Sequence, residues 1–310
     1  MILGVIFLLS GLVLLSWAAD KFVDHAVNVA VATRISPVVV GAVIVGFGTS
    51  APELLVSGLA AGQGDIDVGI GNIMGSNMAN ITLVLGAAAL LTPVAVGART
   101  LRREAPIALV SVLGFAVLLT NDLSTSDGYL LLGGLAVFLF VSIRGGRDGR
   151  SAVEIETLEG DRPLRFEISW MVVGLTGTVI GAQLMVTGAV RVADGLGVSG
   201  GFVGLTIVAL GTSLPELVTA VSASRKGQTE LVVGNLLGSN VFNSLGVGGA
   251  VAILGSGAAA DEELIGLPVV AMCVAMIGAW AMMLGGRELK RQEGLVLLIG
   301  YLALLPFLPR

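Results

Sequence analysis

Two copies of one polar motif lie inside long apolar segments of this chain. The first copy reads GTSAPE at residues 48–53 and GNIMGSNMAN at 71–80. The second reads GTSLPE at 211–216 and GNLLGSNVFN at 234–243, each position lying 163 residues after its partner. A chance match would not keep register over two separated blocks, so we interpret the pair as an internal duplication. The chain must therefore fold as two related halves that both place polar groups in apolar surroundings.

The apolar segments have the length of membrane spans. The chain is 55% hydrophobic and 13% charged, and a soluble domain of 310 residues could not cover that much apolar surface. A transmembrane helix needs about 20 apolar residues. The composition therefore predicts an all-α polytopic membrane protein with ten transmembrane helices. The predicted spans cover residues 2–20, 36–61, 66–91, 104–120, 128–143, 168–188, 199–224, 229–255, 264–284 and 293–308.

Lys and Arg residues concentrate in alternate connections between these spans. Basic clusters follow the first, third, fifth, seventh and ninth spans, whereas connections such as Asn121-Asp122 carry none. Because basic loops stay in the cytoplasm, the pattern predicts a multi-pass protein of the cell membrane with both termini outside.

The span count divides the chain into two halves. We predict a first five-helix repeat at residues 1–144, a cytoplasmic linker at 145–165 and a second repeat at 166–310. An odd number of spans per half makes the second copy enter the membrane in the opposite sense. Such inverted-topology repeats are typical of secondary transporters, whose binding site lies near the midplane.

Glu53 and Glu216 lie deep inside the second and seventh predicted spans. A charged side chain at that depth costs several kcal/mol unless it is compensated. No Lys or Arg within the spans is placed to pair with either carboxylate. The pattern therefore favours a mobile cation as the compensating charge, rather than polar residues that only hold helices together.

The surrounding donors are all oxygens. Thr49 and Thr212 precede the glutamates by four residues, one helical turn. Pro52 and Pro215 interrupt the helix and free nearby carbonyls, which we place at Gly46 and Ala209. Oxygen donors suit Ca²⁺ and Na⁺. The full candidate ligand set is Glu53, Glu216, Thr49, Ser50, Ser76, Asn80, Thr212, Ser213, Ser239, Asn243, Gly46 and Ala209.

The sequence alone leaves the roles of two groups of polar residues open. Asn72, Asn77 and their counterparts Asn235 and Asn240 fit packing, cavity-lining or ligand roles. Asp20, Asp24 and His25 follow the first span and fit either a proton or cation relay or a helix end at the membrane surface. We favour the helix end for this second group, because the second half carries Gln183 and Thr187 at the matching positions.

Both motif copies resemble the α-repeats of the cation/Ca²⁺ antiporter superfamily, in particular the prokaryotic Na⁺/Ca²⁺ exchangers. The resemblance implies ten helices, alternating access with sliding of the first and sixth helices, and the twelve-residue ligand set given above. Exchangers of this type often carry an aspartate where Asn243 stands. The sequence therefore leaves two carboxylates instead of three.

Sodium/calcium antiport is the leading function hypothesis. Ca²⁺/H⁺ exchange is the alternative, because two glutamates could accept two protons when Ca²⁺ leaves. A channel is disfavoured because filters form rings around a pore, and an enzyme is disfavoured because no histidine adjoins Ser50 or Ser213. We expect Ca²⁺, Na⁺ and the lipid bilayer as partners, no cofactor, no nucleic acid, and a monomer.

Overall fold

The chain folds almost entirely into helices. A computed structural model describes residues 2–33, 35–64, 66–120, 123–146, 163–195, 209–255 and 262–305. The helices are α1 (Ile2–Thr33), α2 (Pro37–Thr49), α3 (Ala51–Gly62), α4 (Ile66–Leu91), α5 (Ala98–Arg102), α6 (Glu104–Leu119), α7 (Thr125–Gly146), α8 (Leu164–Gly195), α9 (Ala209–Thr212), α10 (Leu214–Arg225), α11 (Thr229–Leu254), α12 (Glu262–Ile265), α13 (Leu267–Gly286) and α14 (Arg291–Leu304).

Six helices in the described residues are long and apolar enough to cross a membrane, namely α1, α4, α7, α8, α11 and α13. Counting the bent pair α2–α3 as one span brings the number to seven. The ten predicted spans are therefore not confirmed. Helices α6 and α14 have only 16 and 14 residues, shorter than the usual span. The predicted span 199–224 lies partly outside the described residues, as does the end of 293–308.

The two longest helices, α1 and α8, pack against each other through glycines. A Cβ added to Gly181 would lie 2.6 Å from the backbone nitrogen of Leu15, and one added to Gly174 would lie 2.6 Å from that of Phe22. The later position on α8 thus contacts the earlier position on α1, which means that α1 and α8 run antiparallel. The absent side chains let the two backbones approach closely, which is the usual basis of helix association in lipid.

Charged residues in the second half of α1 contact its neighbours, and the helix does not end at them, as the favoured interpretation predicted, but continues to Thr33. Helix α1 continues past the predicted end of the first span, and its Asp24 accepts a hydrogen bond from Lys226 Nζ at 2.7 Å. Asp20 accepts a hydrogen bond from Ser222 on α10. On the other side, His25 Nδ1 lies 2.6 Å from Glu167 Oε2 on α8. These contacts join α1 to both α8 and α10.

The core lies where α2 and α4 pack against α11. A Cβ added to Gly238 would lie 2.6 Å from the carbonyl carbon of Ala42, and Gly234 is similarly pressed against the backbone of Val38. Helix α11 is the most buried of the six long helices, since 89% of its most apolar 18-residue segment is buried inside the protein. It therefore forms the centre around which the motif residues are arranged.

A two-residue ladder, absent from the sequence prediction, joins the two halves. Strand β1 (Val94–Ala95) follows α4 and pairs antiparallel with β2 (Glu288–Leu289), which follows α13. Two-residue strands are too short to give a hydrophobic alternation pattern.

A candidate cation site between the two motif copies

Both motif copies interrupt a helix in the same way. Ser50 adopts φ −85° and ψ 9°, and Ser213 adopts φ −88° and ψ 4°, so each serine leaves the helical conformation. A new helix then starts, with Pro52 or Pro215 in its first turn, where the missing N–H is tolerated. Across Ser50 the helix axis bends by 45°. The break predicted from the proline and glycine pattern is thus present in both copies.

The breaks place Glu53 and Glu216 in the first turn of α3 and α10. N–H groups without helical partners and the helix dipole favour a negative charge at this position. Both side chains are buried, with 1% and 0% of their surface exposed. Within the described residues, Oε2 of each carboxylate has no hydrogen-bond partner, and neither glutamate belongs to an ion pair. A buried carboxylate is normally paired or bound to a cation, so each of these oxygens is available as a cation ligand.

The other carboxylate oxygens accept hydrogen bonds from motif hydroxyls. Ser50 Oγ donates to Glu216 Oε1 at 3.1 Å, which connects the first copy to the second. Ser76 Oγ donates to Glu53 Oε1 at 3.4 Å and accepts a hydrogen bond from Ser213 Oγ at 3.4 Å. Each carboxylate therefore has its own serine partner, and in both groups a residue of one motif copy contacts a residue of the other copy.

The threonines make reciprocal contacts across the two copies. Thr49 Oγ1 lies 3.3 Å from Asn235 Oδ1, and Thr212 Oγ1 lies 3.3 Å from Asn72 Oδ1. Thr212 is the duplicate of Thr49, and Asn72 is the duplicate of Asn235, so the internal repeat relates the two contacts. Asn72 Nδ2 also donates to Ser57 Oγ at 2.9 Å. Sequence reasoning missed Ser57, although it lies one turn after Glu53 on the same face of α3.

Asn80 and Asn243 lie in widened turns of the two central helices. The backbone forms π-helix at Asn80–Val84 in α4 and at Phe242–Val247 in α11. Such turns are frequent at functional sites. Both side chains are buried, and Oδ1 of each has no hydrogen-bond partner in the described part of the chain. These amide oxygens are therefore further candidate ligands.

Asn77 and Asn240 form hydrogen bonds between helices, although the buried Oδ1 of Asn77 has no partner in the described residues. Asn240 Nδ2 donates to the carbonyl of Asn77 at 3.3 Å, and Asn240 Oδ1 accepts from Asn80 Nδ2 at 3.0 Å. Asn77 Nδ2 donates to Ser244 Oγ at 3.0 Å. Packing between α4 and α11 therefore describes Asn240, whereas Asn77 combines a packing contact with an unpartnered amide oxygen.

The Gly46 carbonyl is not freed by the break, contrary to the sequence expectation. It accepts hydrogen bonds from the backbone N–H of Ser50 at 3.2 Å and from Ser239 Oγ at 3.3 Å. Ser50 precedes the proline, so its N–H can still complete the helical turn by bonding to the Gly46 carbonyl. Pro52 lacks an N–H, and the carbonyl that loses a helical donor is therefore that of Gly48, two residues after Gly46. Ala209 is the first residue of α9, and the surroundings of its side chain lie outside the described residues.

The arrangement offers oxygen donors to a cation and little else. In the described residues, no group of three or more His, Cys, Asp or Glu side chains could hold a metal. The negative charge of the candidate site comes from the carboxylates of Glu53 and Glu216, and the other candidate ligands are hydroxyl and amide oxygens. Calcium accepts six to eight oxygen ligands in flexible geometry, and two carboxylates balance its charge.

Loss of the Ser50 hydroxyl should weaken cation binding. Hydrogen bonds to charged groups contribute about 1.5–3 kcal/mol, so Ser50→Ala should raise the half-saturating Ca²⁺ concentration by roughly 10-fold or more. The measurement is the Ca²⁺ dependence of ⁴⁵Ca²⁺ uptake into proteoliposomes. Ser169→Ala is the matched control, because that exposed hydroxyl bonds only to the carbonyl of Arg165 in its own helix. Equal Ca²⁺ dependence of both variants would contradict a role for Ser50.

The family model described as sodium/calcium exchanger protein matches residues 3–144 and 166–308. The chain belongs to this family. It is accordingly a membrane protein for cation/Ca²⁺ antiport, as the motif resemblance predicted. Sodium/calcium exchanger MaX1 from Methanosarcina acetivorans is 32% identical, with 96% of each chain covered. CaxA from Alkalimonas amylolytica, whose name as an antiporter is provisional, is 41% identical with 97% of each chain covered.

Solved structures show the same fold. The sodium-calcium exchanger NCX_Mj, soaked with 2.5 mM Na⁺ and 0.1 mM Ca²⁺, superposes with a TM-score of 0.90 at 29% identity, covering 100% of both chains. The family member described here therefore shares the architecture of that exchanger.

Proposed function

We propose that this exchanger moves Na⁺ and Ca²⁺ in opposite directions by alternating access, with the ions bound around Glu53 and Glu216. The observation that supports this most directly is the pair of fully buried carboxylates, each with one oxygen lacking a partner in the described residues. The proposed ligands are the twelve residues named from the sequence. The Gly46 carbonyl would have to release one of its two hydrogen bonds to take part.

Coupling follows from charge balance. One Ca²⁺ or two or more Na⁺ compensate the two carboxylates, whereas an empty site leaves two negative charges away from water. Uncompensated charges of this kind are strongly unfavourable. An ion-free transporter therefore changes access slowly, and each direction of movement requires bound ions.

The proposed architecture has ten helices in two inverted repeats, at residues 1–144 and 166–310, joined by a linker at 145–165. Antiparallel packing of α1 against α8 supports the inverted relation, because these helices begin the two halves. The reciprocal Thr49–Asn235 and Thr212–Asn72 contacts support it as well. The proposed location is the cell membrane, with both termini outside and a monomer as the transport unit.

Ca²⁺/H⁺ exchange is the second candidate. It is favoured by the amides at Asn80 and Asn243, which leave the site with two carboxylates that two protons would neutralise as well as one Ca²⁺ does. Both side chains are buried and neutral, so these positions add no third negative charge for a Na⁺ ion to balance.

Ion gradients decide between these two functions. Purified protein is reconstituted in vesicles loaded with Na⁺ and diluted into Na⁺-free medium containing ⁴⁵Ca²⁺, with K⁺-loaded vesicles as the control. Na⁺/Ca²⁺ exchange gives uptake that requires internal Na⁺ and is insensitive to a pH gradient. Uptake that follows the pH gradient in K⁺-loaded vesicles would overturn the Na⁺ proposal and establish proton coupling.

A further inference from the structure

An open groove of about 500 Å³ runs along the outer surface between α6 and α7. The residues that line it are spaced three or four apart on both helices, so the groove follows one face of each helix. Its floor is Leu245 of α11. The walls are formed by Pro106, Ile107, Val110, Ser111 and Gly114 of α6 and by Gly134, Val137, Phe138 and Val141 of α7.

Arginines surround one end of this groove. Arg102 and Arg103 line it just before α6 begins. Arg103 Nη2 donates to the Val141 carbonyl, which brings the start of α6 next to the end of α7. Arg144 lies nearby on α7, with its guanidinium 4.3 Å from the Phe140 ring centre. Glu104, buried in the first turn of α6, is a single carboxylate beside these three arginines. Arg102 is exposed and forms no ion pair within the described residues.

The apolar part of the groove has the depth of one membrane leaflet. From Glu104 to Gly114 helix α6 rises by roughly 15 Å, at ~1.5 Å per residue. Half of a bilayer's hydrocarbon core is also about 15 Å thick. The far end is open, since a Cβ at Gly114 would have no described heavy atom within 4 Å.

We propose that this groove binds one anionic phospholipid, with its phosphate at Arg102 and Arg103 and an acyl chain lying along the walls. A wholly apolar groove would accept any lipid tail. The unpaired positive charge at the mouth selects an anionic headgroup, because basic pockets between membrane helices favour such lipids. Arg102 has the main recognition role, since Arg103 is already engaged by Val141.

Native mass spectrometry of the full chain tests the headgroup. Phosphatidylglycerol and phosphatidylcholine are added separately to delipidated protein, and we expect one phosphatidylglycerol to be retained in preference. One Arg contributes about 1 kcal/mol near an anionic lipid, so Arg102→Gln should weaken phosphatidylglycerol binding roughly fivefold. Arg225→Gln removes the same charge from an exposed position at the end of α10 and should leave binding unchanged. Equal retention of both lipids, or equal effects of both variants, would overturn the proposal.

A second pair of variants tests the acyl chain position. Gly114→Leu fills the groove without changing charge and should abolish the retained phosphatidylglycerol. Gly133→Leu is the control, because Gly133 is exposed on α7, also has no described atom near an added Cβ, and does not line the groove. Should Gly114→Leu fail to yield monodisperse protein, Val110→Phe fills the same groove from an exposed position. Undiminished binding in a folded groove-filling variant would place the lipid elsewhere.

Discussion

Glu216→Gln should abolish Ca²⁺ transport, lowering the initial rate of ⁴⁵Ca²⁺ uptake at least about 100-fold, and Glu53→Gln should do the same. Each substitution removes one of the two carboxylates that balance Ca²⁺ and leaves a nearly isosteric amide in a fully buried position. A 100-fold loss corresponds to about 2.8 kcal/mol, a modest value for a buried charged ligand. Uptake is measured in proteoliposomes with a fixed Na⁺ gradient and equal protein incorporation.

Glu230→Gln provides the matched control for the two glutamate variants. Glu230 lies in the first turn of α11, as Glu53 and Glu216 lie in the first turns of α3 and α10. It carries the same charge change but lies outside the candidate ligand set. We expect near-normal uptake from Glu230→Gln. Wild-type uptake by either Glu53→Gln or Glu216→Gln would disprove the assignment of the site.

Gly238→Ala should destabilise the protein and stop transport, although it adds only one methyl group. The new Cβ would overlap the backbone of Ala42, with the carbonyl carbon 2.6 Å away. Backbone cannot rotate aside as a side chain can, so α2 and α11 must separate. Overpacking of this kind costs about 1–3 kcal/mol. It would also displace the adjacent Ser239, whose hydroxyl donates to Gly46.

Thermal unfolding in detergent and ⁴⁵Ca²⁺ uptake measure the two consequences of Gly238→Ala. Gly278→Ala is the control, because Gly278 lies within α13 and a Cβ there meets no described atom within 4 Å. We expect a lower melting temperature and little uptake for Gly238→Ala, with both properties retained in Gly278→Ala. A Gly238→Ala protein with unchanged stability would show that α2 and α11 are not closely packed at this point.

Several features followed from the sequence because they depend on local or compositional properties. Proline and glycine positions predict a helix break in each motif copy, since proline lacks a backbone donor wherever the chain places it. The structure locates these breaks at Ser50 and Ser213. The duplicated register indicates that Glu53 and Glu216 occupy equivalent positions. The apolar content indicates a membrane protein, although of the ten predicted spans the described residues confirm six clear ones and one bent pair.

Other features depend on contacts between residues far apart in the chain. The sequence does not reveal that Ser50 bonds to the glutamate of the other copy, because both glutamates have a serine three residues before them. The π-turns at Asn80 and Phe242 have no recognisable sequence signal, and they determine where the amides of Asn80 and Asn243 lie.

The sequence by itself determined the chemistry of the site, namely two buried carboxylates surrounded by hydroxyl and amide oxygens. Only the tertiary structure decided which oxygens are engaged. Glu53 Oε2 and Glu216 Oε2 lack partners in the described residues, whereas the Gly46 carbonyl already accepts two hydrogen bonds. The physical reason is that residue type fixes what an atom can bind, but the packing of α2, α4 and α11 fixes which atoms meet.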